Sequence, residues 1–278
     1  MTSRTWFITG ASRGIGLEIA KAALQNGDNV VATARKAGDV AAALGEQTSV
    51  LALDLDVTVP AQIAAAVEKA KARFGGIDVL VNNAGYGHIG IFEETADTDA
   101  RVQFDTNVFG LFDVTRAVLP VMRAQRRGHV INLSSVAGIV GYAGASLYCA
   151  SKFAVEGFSL ALADEVKPLG IEVTIVGPGF IRTDFLDPSS IRKVSEGIAD
   201  YAELSAQIDG LMAYNHHQPG DPVRLAQAIV QLASRPNPPR RFSAGSDAVQ
   251  LVDAQLGKLK AELDADQALS SSVDGQWN

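Results

Sequence analysis

A glycine-rich turn, Thr9-Gly10-Ala11-Ser12-Arg13-Gly14-Ile15-Gly16, separates a short apolar run beginning at Trp6 from a stretch of helical periodicity that opens at Ile15. Strand, tight turn and helix in that order leave few folding options. Glycines at 10, 14 and 16 let the backbone turn sharply, approach a pyrophosphate without a Cβ in the way, and seat the helix close on a sheet. The helix N-terminus adds unpaired N–H groups and a partial positive charge, so Gly10, Ser12, Gly14, Ile15 and Gly16 are candidate phosphate ligands. The spacing is G-x-x-x-G-x-G and not the more familiar G-x-G-x-x-G, and a glycine triplet alone also fits a turn that binds nothing. The rest of the chain has to decide.

Short apolar runs recur at residues 6–9, 30–34, 50–53, 79–81, 130–133 and 172–176, each without the polar alternation of a half-exposed strand. Helical patterns at 15–26, 37–44, 60–74, 99–126 and 147–169 lie between them. That alternation predicts an α/β fold, a doubly wound parallel sheet with helices on both faces. All 278 residues are expected to form one domain, since a chain of this length buries about 75% of its unfolded surface around a single core. Beyond residue 183 the pattern weakens: 180–220 reads as a loop-rich lid, 223–234 and 249–263 as helices, and 240–244 as a short edge strand. The last residues, about 265–278, read as a frayed tail.

Composition removes several functions. A net charge of -7 argues against a nucleic-acid partner, which needs clustered cations. No apolar run approaches the roughly 18 residues of a membrane helix. The first strand begins within six residues of the start, leaving no room for a targeting segment, so a cytoplasmic location is expected. The single cysteine, Cys149, excludes an internal disulfide, and four scattered histidines give no zinc spacing, so no metal is expected.

Chemistry concentrates at Tyr148 and Lys152, which are i and i+4 on one helix face. An ordinary phenol has to drop by about three pKa units, or about 4 kcal/mol, to exchange protons near neutrality. A cation about 5 Å away at an effective dielectric near 20 supplies roughly 3 kcal/mol, and a nicotinamide positive charge adds to it. Ser135 follows the run at 130–133, at the carboxyl edge where α/β proteins bind ligands, and its hydroxyl can donate to a carbonyl oxygen.

These residues make the chain similar to the short-chain dehydrogenase/reductase family. The resemblance spans roughly residues 5–185 and rests on Thr9 to Gly16, Asn82-Asn83-Ala84-Gly85, Asn107, Ser135, Tyr148, Lys152, and Pro178-Gly179 with Thr183. It implies a Rossmann-type domain and hydride transfer between a nicotinamide and a carbonyl or alcohol. It also implies Tyr148 as acid and base, Ser135 as the group polarising the substrate, Lys152 as holder of the ribose, and Asn107 as the anchor of a relay water.

The remaining site residues follow from position. Asn83, Ala84 and Gly85 end the fourth strand where small residues let the adenosine half pass, though a plain Asn/Gly turn reads the same way. Asp54 can accept from the adenine amino group and Leu55 can offer its N–H; a solvated acidic loop is the alternative. Asn107 interrupts a helical pattern, which fits a local kink or a surface amide. Pro178, Gly179 and Ile181 are expected against the nicotinamide, with Thr183 near its carboxamide or the phosphate.

Ala34 stands where an NAD enzyme carries the acid for the ribose 2'-hydroxyl, and Arg35 follows it; Asp28 precedes the strand and lies at the wrong edge. Arg13 adds a second cation, so NADP(H) is the expected cofactor. Phe185, Leu186, Ile191, Ile198, Tyr201, Leu204 and Met212 make the lid apolar, predicting a ketone, aldehyde or secondary alcohol with a hydrophobic body. A non-catalytic NADP(H) sensor and an epimerase or dehydratase on the same fold are the competing functions. Apolar helix faces carrying Phe109, Phe153 and Phe158, with the family resemblance, suggest a homodimer or homotetramer.

Overall fold

A computed structural model describes residues 3–187, 191–192, 197–212 and 214–275. Strands β1 (Thr5–Thr9), β2 (Asn29–Ala34), β3 (Val50–Asp54) and β4 (Val79–Asn82) alternate with helices α1 (Gly14–Gln25), α2 (Ala37–Leu44) and α3 (Pro60–Phe74). A two-residue strand β5 (Gly87–His88) precedes α4 (Asp97–Phe104) and α5 (Gly110–Gln125). Next come β6 (Gly128–Leu133), α6 (Ser146–Val166), β7 (Ile171–Pro178), β8 (Ile191–Arg192) and α7 (Ala202–Met212). The chain finishes with α8 (Pro222–Ala233), β9 (Arg241–Ala244), α9 (Ser246–Ala265) and α10 (Gln267–Ser271).

Seven strands form one sheet in the order β3-β2-β1-β4-β6-β7-β9, every pairing parallel. Side chains alternate across it with the period of a strand. Trp6, Ile8, Val30, Ala32, Val79, Val81 and Ile131 pack with α1 and α8 on one face. Phe7, Val31, Leu80, Val130 and Val173 pack with α3, α5 and α6 on the other. Both faces are covered, which is why the strands read as uninterrupted apolar runs. The order of connection reverses between β1 and β4, so the carboxyl ends of those strands open a crevice, the usual ligand site of such sheets.

Several boundaries differ from the sequence reading. The helix expected over 99–126 begins at Asp97 and is broken by a π-helical turn, Asp105–Phe109, centred on Asn107. Of the two sequence readings of Asn107, a local irregularity and a surface amide, the structure shows the first, with the amide buried. The tail is not frayed throughout, because α10 adds a further helical turn after α9. The strands β5 and β8 pair in a small parallel sheet that periodicity did not reveal, being two residues each. The lid residues Ile191 and Met212 have side chains outside what the structure describes.

At the amino edge of the sheet Asp28 is buried and accepts bonds from Arg4 N, Arg4 Nη2, Trp6 Nε1 and Asn26 Nδ2. Burial alone would raise its pKa, but the donors outweigh that and hold the carboxylate below its ordinary value. Its role is structural, at the edge opposite the ligand crevice.

On β6, burial followed by the nearby Arg4 charge pushes His129 down to about 4 from an ordinary 6.5, and its Nε2 meets Thr174 Oγ1 at 2.9 Å. Between those two pH values the unfolded chain binds a proton that the folded chain refuses. The neutral imidazole's contribution is therefore complete above pH 6.5 and lost as pH falls toward 4, about 3 kcal/mol in all. His129→Gln, which keeps a donor for Thr174, is expected to remove that part of the pH dependence in urea unfolding measured from pH 7 to 4.

Candidate active site

The turn after β1 is fastened from two sides. Ala11 N–H donates to Thr33 O at 2.8 Å, tying the glycine loop to the end of β2. Asn83 Nδ2 donates to Thr9 O at 2.9 Å and Gly10 O at 3.0 Å, tying it to the end of β4. Thr9 Oγ1 in turn accepts the N–H groups of Asn83 and Ala84, both at 3.0 Å. Gly10 takes φ +67°, and a Cβ there would lie 3.0 Å from Ala84 Cα, so the close approach of the two loops needs glycine. Gly85 faces Asn107 in the same way, a Cβ on it falling 3.1 Å from the amide oxygen.

The first-turn amides of α1 have no side-chain cap, and that turn carries no acidic residue. Gly14 has φ +57°, and Thr183 stands beside it, 3.8 Å from where a Cβ would be. An uncapped helix N-terminus and a glycine turn thus meet Thr183 of the loop after β7, whose Oγ1 accepts the Phe185 N–H at 3.3 Å, and the uncapped amides fit a phosphate group. Pro178 ends β7, and Gly179 N–H donates to Ala244 O at 3.0 Å. Ser12 and Ile15 lie in this loop as expected, and Arg13 occupies the N-cap position, exposed. Arg35 is exposed directly after the last residue of β2, at the corner where Ala11 is bonded to Thr33.

One expectation needs correction, and two further residues have structural partners of their own. The Leu55 N–H is not available to a ligand, because it donates to Ala34 O at 2.8 Å and prolongs the sheet by one bond. Asp54 Oδ1 accepts the Ala37 N–H at 2.6 Å and so holds the start of α2. Ile181 buries its side chain in the core with Ala11, Leu225 and Ala226. The sequence reading passed over Asp56, which stands beyond that last sheet bond and whose Oδ1 accepts from Thr58 N and Oγ1.

Ser135 follows β6, and its hydroxyl accepts Ala137 N–H at 3.1 Å and lies near enough to Tyr148 to oppose the rise of the phenol's pKa. Lys152, buried one turn along α6, donates from Nζ to Leu133 O at 2.8 Å and lies 5.8 Å from the Tyr148 ring centroid. The structure therefore brings Ser135, Tyr148 and Lys152 together at the carboxyl end of β6. Burial pushes Lys152 down to about 8, opposed by Glu156 one turn further on. Burial likewise pushes Tyr148 up to about 12, opposed by the nearby Ser135 hydroxyl. The expected three-unit drop is not produced by these residues: the cost of desolvating a phenolate exceeds what a single ammonium returns. The protein's own groups hold Tyr148 as a neutral proton donor.

Asn107 Nδ2 donates to Tyr86 O at 2.9 Å and to Ser151 Oγ at 3.3 Å, and its oxygen accepts Tyr86 N–H at 3.1 Å. Its side chain therefore clamps the loop after β4, while Ser151 donates back to Tyr148 O at 2.7 Å. Beneath the site, Asn82 Nδ2 donates to Thr115 Oγ1 at 2.9 Å and Asn132 Oδ1 at 2.8 Å, and Asn132 Nδ2 donates to Ser159 Oγ at 2.8 Å. This buried polar ladder locks α5 and α6 to β4 and β6, and it was missed because only the register of the strands aligns its members.

Tyr148 packs against a small apolar cluster of Ala137, Ala145 and Cys149 with Ile89 and Tyr142. The Phe185 ring covers Tyr148 at 5.5 Å between centroids, and Ile208 from α7 packs on Gly144. Phe180 and Tyr214 meet edge to face at 6.1 Å. Of the other lid residues, Tyr201 donates through its hydroxyl to Glu93 Oε2 at 2.7 Å, and Ile198 donates its N–H to Glu94 Oε1 at 2.6 Å. Both bonds hold the lid to the segment after β5. Among the described residues no helix is long and apolar enough to cross a membrane.

Residues 4–193 match the family model described as short chain dehydrogenase. Oxidoreductase BOA17 of Botryotinia fuckeliana is 39% identical over 262 residues, covering 93% of this chain and 95% of its own. A Bacteroides thetaiotaomicron protein named 3-ketodihydrosphingosine reductase is 38% identical over 256 residues, covering 92% and 91% respectively. A solved structure of a short-chain dehydrogenase from Streptomyces avermitilis superposes with a TM-score of 0.89 at 39% identity, covering 99% of this chain and 100% of the other.

Proposed function

The chain belongs to the short-chain dehydrogenase family, an oxidoreductase acting on CH–OH or C=O groups with a nicotinamide cofactor, and from that premise we propose that it is an NADP(H)-dependent reductase of hydrophobic ketones or aldehydes. The observation that carries this reading is the Tyr148 phenol with Ser135 beside it and the Lys152 ammonium 5.8 Å from its ring, set against an apolar cluster. A bound reduced nicotinamide would supply the hydride for a carbonyl carbon placed there. Tyr148 gives its proton to the carbonyl oxygen as charge develops, and Ser135 shares that oxygen's hydrogen bonding. Lys152 supplies a fixed cation that stabilises the phenolate left behind.

The surroundings of Tyr148 are apolar, with Phe185 over its ring and Ile89 and Tyr142 packed nearby, which suits a substrate with an apolar body. The Bacteroides relative carries the name of a ketone reductase, which supports the same class. Asp56, placed beyond the last bond between β2 and β3, is the carboxylate we assign to the adenine amino group in place of Asp54. The exposed outer faces bearing Phe109 and Phe153 support assembly into a homodimer or homotetramer.

For the cofactor, β2 ends in Ala34 and passes to Arg35 at the corner that also carries Arg13. A ribose 2'-phosphate there meets guanidinium groups, whereas a 2'-hydroxyl meets no carboxylate acceptor from β2. Arg35→Ala is expected to lower the NADPH-to-NADH ratio of kcat/KM by about tenfold to a hundredfold, the size of one charge-assisted phosphate contact. An unchanged ratio would mean that NADP preference has been misassigned. The wider reading is tested by following NADPH absorbance against a panel of aryl and long-chain ketones; a protein that binds NADPH and oxidises none of it in their presence is a sensor, not a reductase.

A further inference from the structure

Helix α9 packs on the body only at its base, where Ala248 is buried and Leu251 and Val252 are partly covered. From Leu256 to residue 275 every described residue is exposed. Along the helix Val249, Val252, Leu256, Leu259 and Leu263 recur in alternating steps of three and four residues, the spacing of a coiled-coil seam. Leu256, Leu259 and Leu263 are 57%, 49% and 60% exposed. A helix of this length gains most of its stability by packing such a face, and the body of this protein covers only the first turns.

We propose that the α9 seam pairs antiparallel with α9 of a second copy of this chain, as an interface separate from the faces bearing Phe109 and Phe153. With Leu256 opposite Leu259 of the second copy, and Val252 opposite Leu263, the flanking positions decide the direction. Asp253 and Lys260 occupy the same flank, so antiparallel pairing sets each Asp253 near Lys260 of the other copy, twice by symmetry. On the opposite flank Gln255 faces Glu262 of the second copy. A parallel pair would instead match Gln255 with Lys260, with no ion pair.

Charge also weighs against a membrane as the occupant. Residues 246–275 carry six carboxylates, at 247, 253, 262, 264, 266 and 274, against lysines 258 and 260, so the segment is repelled by an anionic lipid surface.

Light scattering coupled to size exclusion on the full chain tests this. The double substitution Leu256→Glu with Leu259→Glu is expected to halve the solution mass while leaving the melting temperature within a few degrees, since both side chains are exposed. Asp253→Lys alone is expected to weaken the assembly, and adding Lys260→Asp in the same chain to restore it. A mass unaffected by the double glutamate variant overturns the proposal. Failure of the charge swap to restore the assembly overturns the antiparallel pairing. Binding of the wild-type protein to phosphatidylserine vesicles with no change of mass in the variants would give the seam to a membrane and overturn it as well.

Discussion

Tyr148→Phe is expected to bind NADPH within about threefold of the wild-type affinity and to lose about three to four orders of magnitude in kcat for carbonyl reduction, the size of a general-acid contribution. The ring remains, so its tilted contact with Phe185 and its place on α6 are preserved. What disappears is the one proton that the site aims at the carbonyl oxygen. Ser135 cannot stand in: an alkyl hydroxyl is a far weaker acid than a phenol, so it lends the carbonyl oxygen a hydrogen bond without giving up its proton. Lys152 cannot either, because its ammonium is turned to Leu133 O. Titration calorimetry with NADPH and stopped-flow oxidation with an aryl ketone check the two halves separately. A variant with near-normal kcat would remove Tyr148 from the chemistry and with it the proposed direction of proton flow.

The same site shows where reading the sequence reaches its limit. The approach of phenol, ammonium and serine was legible, because i and i+4 on one helix and a position after a strand are statements about local geometry. Their electrostatic balance was not. An ion-pair estimate from sequence counts the Lys152 charge but cannot count the water that folding removes, and burial moves Tyr148 in the opposite sense, to about 12. Leu55 failed for a related reason. Whether its N–H is free depends on how far β3 stays paired with β2, and the bond to Ala34 O is a property of register, not of the residue. The strands themselves were legible because sheet strands covered on both faces must be apolar without interruption; at Asn107 the disfavoured amide pointed to a local irregularity or a surface position, and only the structure shows the π-helical turn. Segments with no period, β5 and β8, gave no signal. Ile208, which packs against Gly144, lay within a helix whose apolar residues sequence alone could not sort into inward and outward.

Gly16→Ala should be the more severe of the two changes for the cofactor, raising the NADPH dissociation constant by more than about a hundredfold, or about 3 kcal/mol. A Cβ on Gly16 falls well inside van der Waals contact of Gly10 O and of Asn83 Nδ2. Neither neighbour yields cheaply. Gly10 is backbone at φ +67°, pinned by its own crowding against Ala84, and Asn83 Nδ2 is the donor that holds both Thr9 O and Gly10 O. To admit one methyl group, the loop has to move off β4 or α1 has to rise from the sheet, and either movement draws the first-turn amides away from the phosphate position beside Thr183. The effect is local to the loop, because the main core clusters pack through other residues; cooperative unfolding should persist with a modestly lower melting temperature. Fluorescence titration with NADPH measures the loss, and a Gly16→Ala protein that binds NADPH as the wild type does would show that the glycine turn serves packing alone.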